Sequence, residues 1–187
     1  MYSYEQIKEK YGYHSSFAIW SRIDKKQKAK FGVGDISHFD NGNNLILKRN
    51  IVLVGLNISG KLDKPFSNFH SKKSTSHDYK IRYALQDTIF CGAYMTDIIK
   101  DYEEVMSNKV MKYLRLNPDV EKQNIDSFLK ELKDVGSVNP IIIAFGNDAH
   151  KILKRNLDIH IYRVHHYSSC ITKEQLRDEF NGISVYN

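Results

Sequence analysis

Cysteine is scarce in this chain of 187 residues, where only Cys91 and Cys170 occur. Two thiols fall short of the about four ligands that a structural zinc or iron–sulfur site needs. They also build no disulfide framework, so a reducing cytoplasm suits the chain. Proline is nearly as rare, with three residues and no low-complexity tract, which argues against a long disordered region. No apolar run approaches the ~20 residues that cross a bilayer. The start, Met1 to Lys8, has no apolar signal-peptide core. No internal repeat is present. The glycines at 55, 60 and 146 make no dinucleotide fingerprint, and no serine or cysteine sits in a nucleophile elbow. His160, His165, His166 and Cys170 have no familiar zinc spacing. The expectation is a protein without metal or organic cofactor and without a membrane segment.

What is present is ordinary for a globular domain: 41% hydrophobic and 27% charged residues. The length is enough for one domain with a sizeable core. Lys and Arg outnumber Asp and Glu by 28 to 22, giving +6 and a pI near 9.1. That balance favours a polyanionic partner, nucleic acid first, against the simpler reading of solvated lysine faces.

Periodicity supplies the elements. A short helix is expected over 2–10, capped by Ser3 with Ile7 inward. Residues 15–23 are apolar and read as a helix or an extended arm. Lys25 to Lys30 is a basic loop, and Asp40-Asn41-Gly42-Asn43-Asn44 is a turn signal. Continuous apolar runs at 51–55, 89–95 and 141–145, with a fourth strand at 159–164, suit strands covered on both faces. Helices are expected over 77–88, 119–135, 146–155 and 172–180. The 119–135 helix carries Ile125, Phe128, Leu129 and Leu132 at helical spacing, and 101–118 is mixed, broken at Asn117-Pro118. Alternation of strands with helices predicts an α/β fold: a three-layer α/β/α sandwich with a mostly parallel four-stranded sheet. Residues 1–187 form a single domain, with 1–50 a helical or extended segment packed on it.

Three strand ends present polar side chains. They are Ile51-Val52-Leu53-Val54-Gly55-Leu56-Asn57-Ile58-Ser59-Gly60 running into Lys64-Pro65-Phe66-Ser67-Asn68-Phe69-His70, then Gly92 to Lys100, then Ile161 to Ser169. In an open α/β sheet, ligands bind outside the carboxyl ends of the strands.

These stretches, taken in order over residues 50–172, resemble the uracil-DNA glycosylase superfamily. The run from Ile51 to Gly60 is similar to the first glycosylase motif in its mismatch-specific form. Lys64-Pro65-Phe66 resembles the Pro-Phe of the iron–sulfur-type enzymes, and Ala93-Tyr94-Met95-Thr96-Asp97-Ile98-Ile99-Lys100 resembles their Tyr-Ile-Thr-Asn-Val-Val-Lys. Ala144 to Ala149 resembles the Ala-Leu-Gly turn, and His166-Tyr167-Ser168 stands where the family has His-Pro-Ser. The chain departs from the pattern in lacking the water-activating Asp of the most efficient members and the four cluster cysteines. It also has Asp97 for the base-reading Asn and Tyr167 for the Pro.

The resemblance implies recognition of a base in DNA, with possible hydrolysis of its N-glycosidic bond on a nucleotide flipped out of the stack. Asn57 then orients a water through its side-chain oxygen, with Gly55 beside it. Phe66 stacks on the base, with Phe69 as the second choice. Asp97 reads the base edge. An ionised Asp offers only acceptors, so it suits the amino group of cytosine better than the carbonyl of uracil. His166 donates to the departing base, while strand alternation turns His165 away. Ser168 and Ser169 bind phosphate, and Ile171 is a candidate wedge. Lys72, Lys73, Lys80 and Arg82 are placed to follow a phosphate backbone, while Lys151, Lys154 and Arg155 form a solvated helix face. Each has a plainer role: a turn for Asn57, sheet-end cover for the Phe rings, and for Asp97 a helix cap before Ile98 or a pair with Lys100. The partner expected is DNA, bound by a monomer. The alternatives are a non-catalytic nucleic-acid-binding module, or a protein-interaction or small-nucleotide-binding protein.

Overall fold

A computed structural model describes residues 1–22 and 28–184, without the side chains of residues 41, 43 and 44. Ile23 and residues 25–27 of the basic stretch lie outside the described residues.

Five strands form one mixed sheet in the order β1-β3-β2-β4-β5. Strands β2 (Lys48–Asn57), β3 (Ala93–Ile99), β4 (Ile141–Phe145) and β5 (Ile161–Val164) are parallel. The expected four-stranded sheet therefore gains an edge strand, β1 (Ser15–Phe17), which runs antiparallel to β3. Of the two readings of this apolar stretch, the extended one holds. Phe17 packs between the rings of Phe66 and Tyr94, and Ala18 exchanges backbone hydrogen bonds with Gly92 and Ala93.

The period-two side chains of the strands feed two cores. Val52, Val54, Tyr94, Ile98, Ile142 and Ala144 pack with α1 (Tyr4–Tyr11), α3 (Ser107–Leu116), α4 (Pro118–Val135) and α5 (Gly146–Asn156). Ile51, Leu53, Met95, Ile143 and Phe145 pack with α2 (Asp78–Leu85) and α6 (Lys173–Asn181). Both faces are covered, so the strands read as unbroken apolar runs. Each fully buried Val, Leu or Ile contributes roughly 1.5–3 kcal/mol.

Local signals set most boundaries. Ser3 and Thr172 each complete a capping box, with Gln6 and Gln175 respectively. Pro118 opens α4, and Gly136, left-handed at φ 87°, closes it. Ile81, Ala84 and Leu85 of α2 are buried as expected. Leu129 instead turns outward at 45% exposure, leaving Ile125, Phe128 and Leu132 as the packing stripe of α4. The second strand starts at residue 93 rather than 89, because the chain from 89 to 92 is a turn ended by Gly92 at φ 85°. The 40–44 turn signal lies within a 3₁₀ helix, Ser37–Asn44.

Candidate functional site

The connections decide where the sheet's switch point lies. The chain leaves β2 through α2 on one face of the sheet and leaves β4 through α5 on the other. The carboxyl ends of β2 and β4, which are adjacent, thus flank a topological switch point, the usual ligand position in such sheets. Gly55 lies at one side of it and Phe145-Gly146 at the other.

Asp97 is paired with Gly55 in the β2–β3 register. A Cβ at position 55 would collide with the Asp97 Oδ1 atom; the glycine makes room for a carboxyl lying flat on its neighbour strand. Asp97 is 4% exposed, and its side chain accepts one hydrogen bond, from Asn68 Nδ2 at 2.8 Å. Burial raises its pKa to about 6, with the Asn68 bond and the Lys100 charge acting the other way. It remains an acceptor at neutral pH and becomes a donor below about pH 6. Neither plainer role holds. Residues 93–99 are strand, so no helix starts at Ile98, and Lys100 Nζ donates to the backbone carbonyl of Asp97, at 2.6 Å.

The segment between β2 and α2 is tied to the N-terminal arm. Phe66 N donates to Gly12 O, Ser16 Oγ to Phe66 O, and Asn68 Nδ2 also to His14 O. Two residues there, Phe66 and Phe69, hold the left-handed backbone at φ 61° and 62°. Phe66 is 0% exposed and packs on the rings of Tyr4, Phe17 and Phe39. The expectation that it stacks on a base is corrected: its ring belongs to the core. Phe69, itself buried at 4% exposure in the α2-side core, lies closer to the strand ends, against Phe145 and Tyr167 and beside Gly55.

After β5 the chain turns at His166-Tyr167-Ser168. The half-buried imidazole of His166 stacks on Tyr167, with centroids 4.3 Å apart. Its Nδ1 accepts from the Ser168 backbone N–H at 3.2 Å and lies 2.7 Å from the Ser168 hydroxyl. That leaves the proton on Nε2, which has no hydrogen-bond partner among the described residues. Desolvation, aided by nearby His77, lowers the ring's pKa to about 4, so His166 is a neutral donor at pH 7. Gly146, at φ 85°, seats it: a Cβ there would come 3.2 Å from that of His166. His165 points elsewhere and pairs with Glu179.

Gly55, Asp97, His166 and Ser168 of the expected set all lie at this edge, linked through Phe69, which meets Gly55 on one side and Tyr167 on the other, while Asn68 joins Asp97. Asn57, two residues beyond Gly55 at the end of β2, is engaged elsewhere through its amide nitrogen. Its Nδ2 donates to the carbonyls of Ile58, Tyr102 and Glu104, at 3.0, 3.1 and 2.7 Å, bracing the chain beyond β3. Its Oδ1 accepts no hydrogen bond among the described residues. Lys80 and Arg82 also depart from expectation. Both are buried. Lys80 Nζ donates to Ser169 O and Ile171 O, and Arg82 to Ala29 O and Phe31 O. They hold loops rather than a phosphate chain, and Lys80 fixes the turn that carries Ser168.

Asp78, at the start of α2, is a further buried carboxyl; Ser71 N donates to it at 2.7 Å, and desolvation raises its pKa. No group of three or more His, Cys, Asp or Glu among the described residues is arranged to hold a metal ion, and no described helix is long and apolar enough to cross a membrane. Compared with known proteins, the chain matches no family model, no curated protein and no solved structure.

Proposed function

We propose that the chain recognises a base in DNA at this edge and excises it by hydrolysis of the N-glycosidic bond. One observation carries the reading: a buried carboxyl, Asp97, is seated over a required glycine at the sheet's switch point and held by a single neutral amide. Burying a charge this way is costly, and a ligand group that donates to it recovers part of that cost. In this reading Asp97 accepts from an exocyclic amino group. Phe69 and Tyr167 form the aromatic wall, and His166 donates through Nε2 as charge builds on the departing base. Ser168, exposed beyond them, meets phosphate. Asn57 orients water through Oδ1.

The bracing role of Asn57 favours a second reading, binding without excision. An amide accepts no proton at neutral pH, and this one already holds the 102–104 segment.

The test is incubation with single- and double-stranded oligonucleotides carrying uracil, mismatched thymine, hypoxanthine or plain cytosine, followed by alkali. A strand break that vanishes in His166→Ala and Asn57→Ala supports excision. Intact strands throughout, from a folded protein that binds DNA, leave the binding module.

A further inference from the structure

A concavity lies away from the strand ends. It is a half-open groove of about 530 Å³ between the 30–40 segment and the outer side of the segment that carries Asn68 and Phe69. Its wall brings together five lysines, Lys8, Lys30, Lys64, Lys72 and Lys73, against two aspartates, Asp35 and Asp40. The two aspartates offset part of this charge and leave lysine in excess. Asp35 accepts from the backbone N–H and hydroxyl of Ser37, and Asp40 lies 3.8 Å from Lys8. Lys30 is engaged with the Ser74 carbonyl. Lys64, Lys72 and Lys73 are exposed, and their ammonium groups have no partner among the described residues. Gly34 lets the Lys72 stem approach, since a Cβ there would strike it. Ser71, Ser74 and Ser76 add polar groups, and Ile36, Pro65 and Tyr79 add apolar surface.

We infer that this groove is a second ligand site, taking a di- or triphosphate ester of nucleotide size. The volume is that of small-molecule sites. A strand crossing the surface needs cations spaced along a line; here they surround one hollow, which suits one compact, multiply charged head with a ring against Tyr79 and Pro65. Lysine acts on such a head as a point charge.

Calorimetric titration of the full chain with adenosine and with its mono-, di- and triphosphate, in magnesium-free buffer, tests this. Affinity is expected to rise with each phosphate. The double variant Lys72→Gln, Lys73→Gln is expected to weaken triphosphate binding by about tenfold or more. The equally exposed helix-face pair Lys151→Gln, Lys154→Gln changes it by less than about twofold, the allowance for non-specific charge. These lysines are exposed, so both variants fold. Asp97→Asn leaves nucleotide binding intact, which keeps this result separate from the fate of the base reading. Absent binding, equal binding of adenosine and its triphosphate, or equal losses in the two lysine pairs would overturn the inference. So would displacement of the triphosphate by an unmodified oligonucleotide of matched phosphate concentration, which would give the groove to a nucleic-acid strand.

Discussion

The two faces of β3 each bury a carboxyl, and they treat it differently. On the α4 side, Glu131 accepts from Tyr94 Oη at 2.7 Å and pairs with Lys100 at 2.8 Å. A full charge opposes its own, and the ammonium is nearly as buried as the carboxylate. On the α2 side, Asp97 has one amide hydrogen for a partner and an elevated pKa. Glu131 is an internal fastening between helix and strand. Asp97 is kept short of partners at the sheet's switch point, and perturbed protonation equilibria cluster at functional sites.

The contrast is broken most violently from the Glu131 side. Glu131→Leu leaves the Lys100 ammonium buried without its counter-charge, and unfolding in urea should show a loss of about 3–5 kcal/mol. Phe66→Ala should cost a similar amount, about 3–5 kcal/mol, whereas a base-stacking ring would lower affinity at nearly constant stability. The two outcomes separate core from site.

Asp97 should behave in the opposite sense. Its folded pKa, about 6, is above the ordinary 3.8, so between these values the folded state holds more protons than the unfolded one. Stability from this group is fully present below pH 3.8 and falls as pH rises through 6, by roughly 3 kcal/mol in total. His70 and His166, lowered to about 4 by burial, act with the other sign, gaining stability as pH rises from 4 to 6.5. The difference between the wild type and Asp97→Asn isolates the carboxyl. Denaturation at pH 4 and pH 7 should find the variant more stable at pH 7 and the advantage gone at pH 4. A constant difference would place Asp97 with Glu131 as a settled structural charge.

Gly55→Ala sharpens the geometry. The added methyl must displace the Asp97 carboxyl, at about 1–3 kcal/mol, and should remove base preference along with it. The smallest effect is far from both carboxyls. Thr172→Ala removes a helix cap for about 1 kcal/mol, visible in thermal unfolding and without consequence for ligand preference.

Much of the framework was legible in local patterns. The apolar runs, the two capping boxes and the Pro118 start of α4 act over a few residues. The extended arm was ambiguous because its pairing partner, Tyr94 to Thr96, is some 80 residues away. The site was legible in part. Asp97, His166 and Gly55 sit at strand ends, and period two fixes their side. Phe66 and Phe69 are three residues apart in a loop with two left-handed residues, and no periodicity says which ring turns inward. Asn68 is an ordinary turn residue in sequence; only folding brings it to Asp97. The engagement of Lys80 with carbonyls 89 and 91 residues away is likewise invisible in composition.

The central claim is that Asp97 reads a base edge through acceptors alone. Competitive binding at pH 7.5, with oligonucleotides differing only in cytosine or uracil at one unpaired position, tests it directly. Asn supplies a donor that Asp lacks, so Asp97→Asn should shift the preference from cytosine toward uracil by tenfold or so, the ~1–3 kcal/mol of a good base contact. An unchanged ratio in a folded variant would contradict the account.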